Sequence, residues 1–311
     1  MRCVLAGDLG GTKCRYALVG EDFGVHRVEH VATVRDRAAF LASLDAAIER
    51  VLATRPDGLD APAAAGFGTA GVVPPEGGRI LHAPNLPLGA FPLAAHVQDR
   101  FGLPTTLLND GRASAWGEYL RGHAVGRDPL LCLFFGTGIG IGLLVGGKPY
   151  GGAANAAGEI GHTTFRPGGR RCPCGGVGHF EAYCGGRAIT ERAAEALGDA
   201  PRGGWTVEAV VAAATAGAKA ATAQAILAEA ELAACTLVEN ACTLLNPSAV
   251  VLGGGVLRGW PELRVRIEAH VRASTSAPVH ADLQFADSLG GSDAILWGAA
   301  AATGVLWPAA T

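Results

Sequence analysis

The chain has 311 residues, 49% of them hydrophobic and 17% charged, with a formal net charge of −3. Globular domains carry roughly 25% charged residues, so this chain is too apolar for disorder, and it shows no basic run that would mark a nucleic-acid or membrane surface. Its 46 glycines, about twice the usual ~7%, follow no three-residue period, which excludes collagen.

The length suggests about two domains, or one large one. The apolar start, Val4 to Ala6, is too short for a signal peptide and is broken by Asp8. Eight cysteines in a chain of this length do not make a secreted disulfide framework, so a cytoplasmic protein with reduced thiols is expected.

The first predicted element is a strand from Arg2 to Asp8. A turn at Gly10-Gly11-Thr12-Lys13 returns it as a second strand, Cys14 to Val19, forming a hairpin. Phe40, Leu41, Leu44, Ile48, Val51 and Leu52 recur at helical spacing, which predicts a helix over 38–54 ended by Pro56-Asp57-Gly58. A buried strand follows over 63–67 and opens into the turn Gly68-Thr69-Ala70-Gly71. A helix over 92–101 leads to a strand over 105–108 that ends at Asn109-Asp110. This alternation predicts an α/β domain.

A helix over 113–122 comes next. The uncharged run 130–147 has the length of a membrane span. Its glycine density makes it a poor helix, so it reads as two buried strands, LLCLFF and IGLLV, around a glycine turn. An irregular Gly/Cys/His stretch over 151–186 precedes alanine-rich helices, the longest over 220–245 and ending at Asn246-Pro247. A short strand over 250–252 opens into Gly253-Gly254-Gly255, and a small-residue helix over 293–304 closes the chain. Strand-and-glycine-turn modules recur loosely at 4–19, 131–145 and 250–257, with no fixed period.

The glycine turns carry chemistry. Asp8 to Lys13 gathers a carboxylate, backbone amides, a hydroxyl and an ammonium in six residues. Such a turn can hold phosphate, and Asp8 can stand near magnesium. A plain Gly-Gly hairpin would also account for it. The turn Gly136-Thr137-Gly138 is followed by a strand where a dinucleotide fold needs a helix, so NAD binding is disfavoured. Asn109-Asp110 stands at a strand's C-terminal end, where α/β sheets bind ligands; an Asp there can equally cap the next helix. His162, Cys172, Cys174 and His179 are four metal-ligand types within residues 162–179. They suit tetrahedral zinc in a structural role, the alternative being a free or oxidised thiol pair.

Together these motifs resemble the ROK family of sugar kinases. The resemblance rests on DLGGTK at 8–13, NDGRASAWGE at 109–118, GTGIG at 136–140, GEIGH at 158–162, CPCGGVGHFE at 172–181, Asn246-Pro247 and LGGG at 252–255. It implies a two-domain α/β fold of the actin-like ATPase (ribonuclease H-like) type with an active site in the cleft between domains. The first domain would span 1–112, joined by the C-terminal helix at 293–308, and the second 113–292.

The resemblance further implies an ATP-dependent hexose 6-kinase, with glucose as the first expectation. N-acetylglucosamine, N-acetylmannosamine, mannose and fructose are alternatives, as is a non-catalytic sugar sensor. Asp110 would be the base. Gly71, Asn109, Glu159, His162 and Glu181 would bind sugar. Asp8, Gly11, Thr12 and Lys13 would face phosphates and Mg²⁺, Gly136, Thr137 and Gly138 would hold the phosphates too, and Gly254 and Gly255 would border adenosine. His162, Cys172, Cys174 and His179 would hold structural Zn²⁺.

Two positions depart from the family pattern. His179 stands where cysteine is usual, with Cys184 an alternative ligand, and Ala70 stands where proline is common. ATP has polyphosphate as an alternative donor. No nucleic acid or membrane partner is expected, and the phosphate turn at residue 8 leaves no room for the helix-turn-helix of the family's repressors. The assembly would be a homodimer or homotetramer.

Overall fold

A computed structural model describes residues 1–83, 85–289 and 293–307. The chain opens with strands β1 (Cys3–Leu9), β2 (Lys13–Gly20) and β3 (Val25–Ala32), helix α1 (Arg37–Ala53), β4 (Ala65–Thr69), α2 (Leu93–Phe101), β5 (Thr105–Asn109) and α3 (Asp110–Arg121). It continues with β6 (Leu130–Phe135), β7 (Ile139–Val145), β8 (Lys148–Pro149), a 3₁₀ turn at Ile160–His162, and helices α4 (Glu181–Cys184), α5 (Gly186–Leu197), α6 (Val207–Ala213) and α7 (Ala220–Leu245). It ends with β9 (Ala249–Gly253), α8 (Gly255–Gly259), α9 (Pro261–Ser274), α10 (Ala277–His280), β10 (Gln284–Asp287) and α11 (Asp293–Ala302). The uncharged run 130–147 forms strands β6 and β7, as its glycines require.

Two five-stranded sheets result, ordered β3-β2-β1-β4-β5 and β10-β9-β6-β7-β8. Read from their middle strands, the orders match: β6, β7, β8, β9 and β10 take the places of β1, β2, β3, β4 and β5. In the first sheet β1 pairs antiparallel with β2 and parallel with β4. By contacts the chain divides into two units. The first contains Met1–Leu130, Gly142–Gly158 and Gly291–Thr311, and the second Leu131–Ile141 and Glu159–Gly290.

Within the first unit the sheet buries both faces, and the period of two along β1 and β2 sorts the side chains. Leu5, Leu9, Tyr16 and Leu18 meet Phe40, Leu44 and Ile48 of α1. Val4, Ala6, Ala17 and Val19 meet Leu296 and Ala300 of α11. Each large apolar side chain so buried contributes roughly 1.5–3 kcal/mol.

The small residues of α11 have a steric cause. A Cβ on Gly298 would stand 1.8 Å from the Ala113 carbonyl oxygen, and one on Gly117 2.0 Å from that of Ala294. Helices α3 and α11 therefore touch backbone to backbone.

In the second unit α7 is the core element, burying Ala230, Ala234, Leu237, Val238 and Ala241. It is long and apolar enough to cross a membrane by composition, yet half of its most apolar stretch is buried.

Candidate functional site

In the first unit the β1–β2 hairpin pairs Leu9 with Cys14 and leaves the glycine turn projecting. The Gly10 N–H donates to the Lys13 carbonyl at 3.2 Å, and the Thr33 hydroxyl donates to the Gly10 carbonyl at 2.6 Å. A Cβ at Gly11 would sit 2.6 Å from Asn85 Cβ, so the turn has no room for a side chain there. Thr12 and Lys13 stay exposed.

Asp8 lies one residue from the end of β1, paired across the ladder with Arg15. Burial, and then repulsion from Asp110, lifts its carboxyl from 3.8 to about 7, against the pull of Arg15 and Lys13. Two acids, one near the end of β1 and one directly after β5, thus share one patch. Magnesium suits such a site, because it takes oxygen ligands and relieves like-charge repulsion.

Asp110 opens α3. The capping reading falls on its neighbour, for Asn109 Oδ1 accepts the Arg112 N–H at 3.3 Å. The Asn109 amide also donates to the Gly71 carbonyl at 3.2 Å, while Asp110 Oδ1 accepts the Gly111 N–H at 2.8 Å. Gly71 has φ +139°, and a Cβ there would meet the His82 carbonyl oxygen at 2.4 Å. Ala70 donates its N–H to the Leu9 carbonyl at 3.1 Å, a bond proline could not make.

The sequence reading missed Arg112 and Asn155. The buried Arg112 guanidinium donates to Asn155 Oδ1 at 2.5 Å and to the carbonyls of Asn155 and Ala157 at 2.9 and 3.0 Å. The Asn155 amide donates in turn to the Val73 carbonyl at 2.8 Å. This network fixes the chain that runs on to Glu159. The signal was an arginine inside NDGRA, a segment otherwise made of small and capping residues.

In the second unit the Gly136–Gly138 turn is closed by a Gly136 N–H to Gly138 carbonyl bond of 2.9 Å. The start of α5 is tied to it, with Gly186 and Arg187 N–H groups donating to the Gly136 and Thr137 carbonyls at 2.8 and 3.0 Å. Glu181 Oε2 accepts the Ile139 N–H at 2.9 Å. Gly254, at φ +105°, would drive a Cβ to 2.2 Å from the Phe135 carbonyl oxygen, and Gly255 begins α8.

The four candidate metal ligands converge, with one donor atom from each of His162, Cys172, Cys174 and His179 all within 4.8 Å of one another. Cys172 Sγ lies 3.6 Å from His162 Nδ1, and Cys174 Sγ 3.2 Å from His179 Nδ1. Ligands about 2.0–2.3 Å from a tetrahedral zinc stand about 3.5 Å apart, so the set fits. Cys184 lies in the core with its thiol toward the Phe180 carbonyl, outside this group. His162 turns its other nitrogen, Nε2, toward Glu159 Oε2 at 3.8 Å. Burial pushes the Cys172 thiol up to about 11, which keeps it protonated until a metal displaces the proton.

These motifs lie along one continuous match. The sequence profile of the ROK family covers residues 4–303. The chain belongs to the ROK family. It is 31% identical over 269 residues to a glucokinase of Streptomyces coelicolor, spanning 82% of this chain and 83% of that one. It is 38% identical over 199 residues to an N-acetylmannosamine kinase of Yersinia pestis, 62% of this chain and 64% of that one. Its fold matches a ROK glucokinase of Streptomyces griseus, solved with glucose and AMPPNP, at TM-score 0.77 and 31% identity over 96% of this chain and 98% of that one. The fold is therefore the actin-like ATPase type that the ROK motifs imply.

Proposed function

We propose that this ROK chain is a cytoplasmic ATP-dependent hexose kinase that phosphorylates the 6-hydroxyl of glucose. The observation that carries the reading is the Asp8–Asp110 acid pair beside the Lys13 turn, at two strand ends of one sheet. Phosphoryl transfer asks a protein chiefly for positioning and charge neutralisation. Asp110 accepts the proton of the sugar hydroxyl as that oxygen bonds to phosphorus and the donor leaves as ADP. Gly71, Asn109, Glu159, His162 and Glu181 hold the sugar.

The exposed Thr12 and Lys13, with Gly11, bind the donor phosphates, as do Gly136, Thr137 and Gly138, while Gly254 and Gly255 border the adenosine. Asp8 would hold magnesium, which supplies charge neutralisation at those phosphates when bound. His162, Cys172, Cys174 and His179 would hold structural zinc, which fixes the loop and the tautomer that His162 presents to sugar. The working form is a homodimer or homotetramer.

The identity to an N-acetylmannosamine kinase supports a second reading, an N-acetylhexosamine as acceptor. A coupled ADP-release assay over glucose, mannose, fructose, N-acetylglucosamine and N-acetylmannosamine separates the two. Highest kcat/KM on glucose supports the first. No turnover on any sugar, with ATP or with polyphosphate, would leave a non-catalytic sensor.

A further inference from the structure

A cavity of about 390 Å³ lies in the second unit, between the segment 170–173 and helix α5, and reaches Thr137 and Gly138 of the glycine turn. Arg170, Arg171 and Arg187 line it, opposed by Glu181, Glu191 and Glu195. The pairing among these six is incomplete. Arg170 is bonded to Glu195 at 2.5 Å, and Glu181 accepts the Ile139 N–H. Among the described residues, Arg171 and Arg187 have no hydrogen-bonded or ionic side-chain partner. Arg187 and Glu191 stand one turn apart on α5, the spacing at which opposite charges pair, and yet they do not.

The backbone around both arginines is fixed. The Arg187 N–H is bonded to the Thr137 carbonyl, Arg171 bridges Val177, and the Arg170 N–H donates to the Tyr183 hydroxyl at 2.8 Å. Two guanidiniums without partners thus open, on held backbone, into one cavity bordering a turn that itself presents amides.

We propose that this cavity is a second phosphate subsite, taking a phosphate monoester or oligophosphate on Arg171 and Arg187. Guanidinium and phosphate pair through charge-assisted, frequently bidentate hydrogen bonds. The carboxylate of Glu191 suits a hydroxyl of a phosphorylated sugar. The cavity shares Thr137, Gly138 and Glu181 with the proposed donor and sugar contacts, and the inference goes beyond the kinase reading in Arg171, Arg187 and Glu191, which are not among those contacts.

The test is titration calorimetry of the full chain at low ionic strength, with AMPPNP and magnesium already present, using tripolyphosphate and glucose 6-phosphate as probes. At least one probe should bind, and Arg171→Gln with Arg187→Gln should weaken it at least tenfold, with unchanged thermal melting as the folding control. The single variants, each giving a smaller loss, guard against a misfolded double variant. Loss of affinity as salt rises should accompany binding. Neither probe binding, or both binding the double variant as tightly as the natural chain, overturns the proposal. If tripolyphosphate binds and its phosphate is transferred to sugar, the subsite serves a donor; if glucose 6-phosphate binds and slows turnover, it serves the product. Binding without any turnover would leave the subsite standing while the kinase reading fails.

Discussion

The two sheets share one strand order, and they hold their glycine turns at corresponding places. The β1–β2 connection at 10–12 corresponds to the β6–β7 connection at 136–138, and the end of β4 at 69–71 to the end of β9 at 253–255. Their chemistry differs. The first sheet carries acids at the ends of β1 and β5, Asp8 as the last residue but one of β1 and Asp110 directly after β5. Where β1 has Asp8, β6 ends in Phe134 and Phe135. The second sheet offers backbone amides and little charge at its turns. One architecture thus presents two kinds of surface, carboxylates at the strand ends of one sheet and uncharged backbone amides at those of the other, which the proposed function would use for metal and proton on the first and for phosphate and nucleoside on the second.

Substitutions can break that contrast. The largest effect should come from Asp110→Asn, which removes the proposed base while keeping size and the bond to Gly111. Turnover should fall by about 10²–10⁴ with sugar affinity retained, and steady-state kinetics with equilibrium sugar binding would check it. Activity within tenfold of the natural chain would refute the assignment. On the amide side, Gly254→Ala forces a Cβ toward the Phe135 carbonyl at a backbone angle alanine avoids. We expect destabilisation of about 2–3 kcal/mol and weaker nucleotide binding, read by denaturant unfolding and AMPPNP titration.

Asp8→Asn separates stability from catalysis. The folded chain holds the Asp8 proton up to about pH 7, against an ordinary value of 3.8. The folded state therefore binds this proton more tightly than the unfolded one. Ionising Asp8 costs nothing below pH 4, costs progressively more from 4 to 7, and is a constant penalty above 7. Asp8→Asn should thus stabilise the ligand-free chain at pH 8, by up to about 4 kcal/mol, with a higher melting temperature, and lose that advantage below pH 4. Equal melting at both pH values would show that Asp8 carries no such penalty. The smallest effect concerns the metal. Zinc affinity should rise at least tenfold per pH unit between 6 and 8, because the Cys172 proton must leave; a competition titration with a chelator measures it.

Much of this was legible in the residues. The hairpin, the α1 helix and the paired strands of 130–147 follow from period and glycine placement, and the convergence of His162, Cys172, Cys174 and His179 from four ligand-type residues lying close in sequence. Strand β3 was not read, because VHRVEHVA lies at a half-exposed sheet edge and its polar residues hide the alternation. Helix α3 begins at 110 and not 113, since Asn109 supplies the cap and Asp110 takes the first helical position. The Arg112–Asn155 bond joins positions 43 apart, and although an arginine inside NDGRA marks one end, nothing local names its partner. The repulsion between Asp8 and Asp110 likewise exists only once β1 and β5 share a sheet.

The seam between α3 and α11 sets an order of events during synthesis. Helix α11 supplies Leu296 and Ala300 to the layer under Val4, Ala6, Ala17 and Val19, so the sheet built from β1 to β5 stays without one wall until the residues from 293 on have been made. The second unit, drawn almost wholly from 131–141 and 159–290, has all its parts sooner. A nascent chain stalled before residue 293 should therefore present a protease-resistant second unit and an N-terminal sheet with one face uncovered.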